Sequence, residues 1–102
     1  MTELVFPRQV STEWLINQLE ITSEVYRNIF LDIQDALQNA GYNPEAKLNT
    51  NEARTRVERD ILPRIRQTWS AVFGHLSDFS ARKCLWFMSL HVQTQARRSR
   101  MS

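Results

Sequence analysis

Apolar residues recur at steps of three and four along almost the whole chain, the period of a helix buried on one side. Leu15, Leu19, Thr22, Tyr26, Ile29, Ile33, Ala36 and Ala40 form the first stripe, and Trp14, Ile16, Val25, Phe30 and Leu37 widen it. Ser11 or Thr12 can cap its start, and Glu13 suits the positive end of the dipole. Gly41 is free to take the left-handed conformation that ends a helix. The pattern predicts one long helix from residue 11 or 12 to residue 40. Its weakest point is Ile21-Thr22-Ser23, where Thr22 or Ser23 could cap a second helix, so a bend is expected there.

Tyr42 to Leu48 reads as the main loop, with Asn43-Pro44 as a turn signal. Asn49 with Glu52 three residues on resembles a capping box. A second stripe follows in Ala53, Val57, Ile61, Ile65, Trp69, Val72, Leu76 and Phe79, which predicts a helix over residues 50–77. Pro63 lies inside it, so a kink is expected near Asp60 with the register kept, as one bent helix or two nearly collinear ones. Gly74 weakens its far end. Ser77, Asp78 or Ser80 can cap a third helix running to Arg97.

The third helix differs from the other two. From Cys84 to Val92 nearly every residue is apolar or aromatic, so it needs cover on more than one side. Two amphipathic helices that also pack on each other can cover about one side of it. The predicted fold is all-α: a small antiparallel bundle of three long helices, dimeric because apolar surface is left over. Residues 1–10 are expected to form an extended arm, with Leu4-Val5-Phe6 apolar and Pro7 holding Phe6 out of the helical region. Residues 11–97 make one helical domain, and 98–102 a basic, frayed tail.

Composition narrows this picture. At 102 residues, 42% hydrophobic and 24% charged, the chain suits one folded domain rather than a disordered segment. Two glycines and three prolines favour long helices over many short strands. No apolar run reaches the ~20 residues needed to span a bilayer. Met1 to Arg8 carries an early acid and no long apolar run, unlike a signal peptide, so a cytoplasmic setting is expected. The single cysteine, Cys84, cannot form an internal disulfide and reads as a small buried hydrophobe. Residues 1–41 hold two arginines against six acids, net −4, whereas residues 42–102 hold eleven bases against five acids, net +6.

No motif carries catalysis. Cys84 and His91 are seven residues apart on one helix, about 10 Å along its axis, too far to pair as nucleophile and base. Cys84, His75 and His91 lack metal-ligand spacing, so neither a metal nor a cofactor is expected. His91 reads as a core or interface histidine whose burial could make assembly pH-sensitive. Asp32 with Asp35, and Glu20 with Glu24, read as solvated faces, and Gly41 and Gly74 are too isolated to cradle a phosphate.

Two surfaces remain. One is apolar: Trp86, Phe87 and Leu90, with Trp14 and Phe6, are the expected partner-binding anchors. The other is basic: Arg59, Arg64, Arg66, Arg82 and Lys83, with the arginines of the tail. Intrahelical pairing of Glu52–Arg56, Arg54–Glu58 and Arg56–Asp60 would neutralise part of the second helix but leave Arg59 and Arg66 without an acid at that spacing, and Arg64 with only Asp60, which Arg56 shares. The sequence therefore points to a non-enzymatic regulator or adaptor that binds another protein through exposed apolar helix surface, for example an inhibitor masking a partner's interface. A nucleic-acid-binding regulator using the arginine-rich second half is the alternative.

Overall fold

Six helical segments follow a non-helical arm in the computed structural model, which describes residues 3–42 and 51–101 with all their side chains except those of Arg97, Ser99, Arg100 and Met101. They are α1 (Thr12–Leu19), α2 (Ser23–Asn39), α3 (Asn51–Asp60), α4 (Leu62–Thr68), α5 (Ser70–Phe73) and α6 (Asp78–Met101). No strand forms among the described residues. The all-α expectation is met, but the first two of the three long helices are each broken. The loop signals at residues 43–48 and the capping box at Asn49 lie outside the described residues.

The first break is sharper than a bend. Ser11 caps α1, its Oγ accepting from the Trp14 N–H at 3.1 Å, and Thr22 caps α2 in the same way through Val25. Between them Glu20 takes the left-handed conformation, at φ 55°. The Glu20 N–H bonds to the Asn17 carbonyl and the Ile21 N–H to the Ile16 carbonyl, which closes α1 in a Schellman motif. Helix α2 ends identically, with Gly41 at φ 81°, its N–H on Gln38 and the Tyr42 N–H on Leu37.

The second predicted helix becomes three. Pro63 does not kink a continuous helix: it falls in the first turn of α4, where a missing N–H costs nothing, and the chain restarts at Ile61. A further break comes at Trp69 (φ −107°, ψ 38°), whose indole Nε1–H donates to Asp32 Oδ2 on α2 at 2.8 Å. The single turn α5 ends at Gly74, where a Cβ would stand 2.6 Å from the Ser70 carbonyl oxygen. Helix α6 is unbroken and runs past its predicted end at Arg97 to Met101.

Helices α2, α4 and α6 pack against one another, and α1 packs on α6. Leu15, Ile29, Ile33, Val57, Phe73, Leu76, Leu85 and Met88 are the largest wholly buried side chains. The apolar register thus survives the breaks, because each helix restarts with the same face inward.

Candidate interaction surface on helix α6

Helix α6 has two lives around its circumference. Ala81, Cys84, Leu85, Met88, Ser89 and Val92 are fully buried on the side of α2 and α4. Phe79, Lys83, Phe87 and Leu90, at steps of four, four and three, make a second stripe. The arm lies on this second stripe. Exposure alternates along it: Glu3 out, Leu4 half-buried, Val5 out, Phe6 half-buried, Pro7 out, the period of an extended segment laid on a surface.

Among the described residues the arm is held at four points, the first being the Ser77 hydroxyl, which donates to Glu3 Oε1 at 3.4 Å. The Leu4 N–H donates to the Oγ of the buried Ser80 at 2.9 Å. The Phe6 ring is 5.1 Å from the Trp14 ring, tilted, and 5.9 Å from the Phe87 ring, stacked, distances at which aromatic pairs attract. At its end Val10 is buried, and its carbonyl accepts from His91 Nε2 at 3.0 Å. Because that carbonyl can only accept, Nε2 carries the proton and Nδ1 accepts the Tyr26 hydroxyl at 3.0 Å. Thr12 Oγ1 stands 3.5 Å from the same hydroxyl. Burial holds the His91 ring below its ordinary pKa against the opposing pull of Val10, and raises that of Tyr26.

Four of the expected apolar anchors meet in this region: Phe6, Trp14 and Phe87 in ring contact, and Leu90 further along the same stripe. None is free, since all four are half-buried against the core. Trp86 is elsewhere and is not the uncovered anchor the sequence suggested. It is 6% exposed, on the side of α3, with the Arg54 guanidinium 4.9 Å from its ring centroid. The physical reason is that counting two amphipathic stripes left out other covers: the arm, α1 as a separate helix, and an arginine laid over an aromatic face.

What stays open was not singled out. Phe79 is 56% exposed and Val5 90%. Lys83 links them to the arm: its ammonium stands 4.8 Å from the Phe6 ring centroid and 5.2 Å from that of Phe79. The signal was in the sequence, since Phe79 closes the second apolar stripe just as the third helix begins, and one residue cannot face two cores.

The predicted basic residues are dispersed. Arg59 bonds the neighbouring Asp60 at 2.9 Å, a partner that i, i+4 counting misses. Arg66 and Arg82 both bond Asp78 and hold its carboxyl below the usual carboxylate range. They flank a groove of about 480 Å³ floored by Leu62, Pro63 and Leu85. Arg64 lines a separate cleft with Asp32, Asp35 and Asp60. Of the expected intrahelical pairs, Arg54–Glu58 forms at 3.1 Å, while Arg56 lies over the Tyr42 ring.

Burial pushes the Cys84 thiol up to about 12, so it stays protonated at neutral pH. Among the described residues no group of three metal-ligating side chains comes together, and no helix is long and apolar enough to cross a membrane. No family model, curated protein or solved structure matches the chain.

Proposed function

We propose that the chain is a small non-enzymatic regulator or adaptor that acts by binding another protein, and that its contact surface is the arm-side face of α6 at the Phe79–Lys83 edge. The observation that carries this reading is the exposure of Phe79 and Val5 beside Phe6, with one ammonium over two rings. A phenylalanine left in water forfeits roughly 1.5–3 kcal/mol of burial, which a partner's pocket would recover. An aromatic anchor rimmed by a cation is the usual composition of a binding hot spot. A second copy of the chain could use the same edge, in line with the dimer expected from the sequence.

The nucleic-acid alternative is the weaker reading, because Arg59, Arg66 and Arg82 are each paired with an aspartate and Arg64 sits among three. The two readings separate in one experiment. Wild type and Phe79→Ser are used as baits in an extract of the native host, at low and at moderate salt, with Leu31→Ser as an exposed control. The reading expects a protein captured at both salt concentrations and lost with Phe79→Ser alone. Capture that needs nucleic acid and vanishes with salt would defeat it.

A further inference from the structure

The arm occupies the α6 face in the way a bound peptide would. Alternate side chains point in, one main-chain N–H is clamped by a side chain of the body, and an aromatic ring seats against two others. Beyond Val10, which is buried and tied to His91, the chain passes through two exposed bends at Arg8 and Gln9. The bond that anchors Val10 is thus not one that residues 3–9 make. Their departure would uncover Trp14, Phe87 and the Ser80 hydroxyl together.

We propose that this face is a groove for an extended segment of another protein, of pattern aliphatic–any–aromatic with a carboxylate near the aromatic, and that the arm is its resident, displaceable occupant. The inference rests on the protein-binding reading above and gives it a ligand class. The aliphatic residue takes the place of Leu4, its N–H on Ser80, and the aromatic takes the place of Phe6. The carboxylate is assigned by charge. Among the described residues Lys83 has no acid partner, although its ammonium is held over the Phe6 ring. A segment offering that acid at the solvent-facing residue before the ring, where the arm has Val5, would draw the long Lys83 side chain off the ring faces into a charge-assisted contact the arm lacks.

A second copy's arm is the poorer occupant. It brings only the contacts the resident arm already makes, while the resident arm is tethered at an effective concentration of about millimolar. Displacement needs a better ligand, and the arm then sets a threshold that excludes weak ones.

The test uses two labelled peptides in fluorescence anisotropy. One is the blocked hexapeptide Glu3–Arg8, and the other is the same peptide with Val5→Glu. They are titrated into the wild type, Phe6→Ser and the double variant Phe6→Ser/Phe87→Ala. Loosening the arm in Phe6→Ser is expected to tighten the first peptide by at least about tenfold over wild type. The Glu peptide is expected to bind wild type more tightly than the first, with the advantage shrinking as salt rises. The double variant is expected to bind neither. Equal binding of the first peptide to wild type and Phe6→Ser overturns the proposal, as does equal binding of the two peptides to wild type. Loss of the folded state in Phe6→Ser, read by circular dichroism, also overturns it, since Phe6 would then be a core residue. A wild-type dimer with exchanged arms, detected by mixing labelled and unlabelled chains, assigns the groove to a second copy instead. The peptide test can fail while Phe79 still captures a partner, so the two readings fall separately.

Discussion

The two faces of α6 bury comparable side chains by different means. Cys84, Leu85 and Met88 are covered by α2 and α4, whose own backbones are satisfied within the helix. Phe87 and Lys83 are covered by an arm whose only bonds from main chain to body among the described residues are Leu4 to Ser80 and Val10 to His91. Releasing a helix from the first face means losing the core. Releasing the arm from the second gives up a few half-buried contacts and restores chain entropy of about 1–2 kcal/mol for each freed residue. Burial on one side is thus part of the global fold, and on the other it belongs to the low-stability end of the molecule, where binding surfaces are drawn from.

The contrast can be broken by mutation. Met88→Ala should cost about 2–5 kcal/mol in denaturant unfolding, as for any methionine truncated in a closed core. Phe87→Ala, on the arm side, should cost less, about 1–3 kcal/mol, and the loss should be largely shared with Phe6→Ala in a double-mutant cycle. Equal costs for Met88→Ala and Phe87→Ala would erase the distinction between the faces. So would equal hydrogen exchange at the Leu4 and Leu85 amides.

Acid should act on the arm side. Burial lowers the His91 pKa from its ordinary 6.5, so the unfolded chain binds the proton more readily than the folded one. Stability is then complete above pH 6.5 and declines as pH falls below it. A melting series from about pH 8 to 5.5 should show this slope, and His91→Gln should flatten it. The smallest effects are at the edge itself. Phe79→Ser should change stability by no more than about 0.5 kcal/mol, since the ring is already largely in water. A larger loss would show that Phe79 is structural and would remove it from the binding surface.

The two Schellman motifs show how far the sequence could be read. The same backbone closes α1 and α2, with the same left-handed residue and the same two bonds. At α2 that residue is Gly41, which announces the stop. At α1 it is Glu20, which looks like a residue in mid-helix, and only the capping residues Thr22 and Ser23 hinted at a restart. Glu20→Gly should therefore raise stability by up to about 1 kcal/mol, because it removes the Cβ from a left-handed position. Pro63 was visible, and of the two outcomes it allowed, one bent helix or two in succession, the chain takes the second, because a proline inside a stripe can equally open a new helix. The Trp69 break depends on an indole reaching Asp32, 37 residues away, and no local pattern carries that. The core was legible, because its register needs only periodicity. The arm-side face was half legible: Phe6, Trp14 and Phe87 were marked as apolar, but not that they would find one another.

The arm's anchors also impose an order on folding. Leu4 waits for Ser80, 76 residues on, and Val10 waits for His91, 81 residues on. Tyr26 in α2 depends on that same histidine. Chain synthesis makes α6 after the other five helices, so the apolar arm and the outer face of α1 have no docking site until residue 91 is available. Contacts of such span slow folding and leave greasy surface uncovered meanwhile. A nascent chain paused before α6 would present Phe6 and Trp14 to whatever chaperone or neighbour is at hand. Stalled chains ending before and after residue 91 should therefore differ in how quickly protease cuts at Arg8.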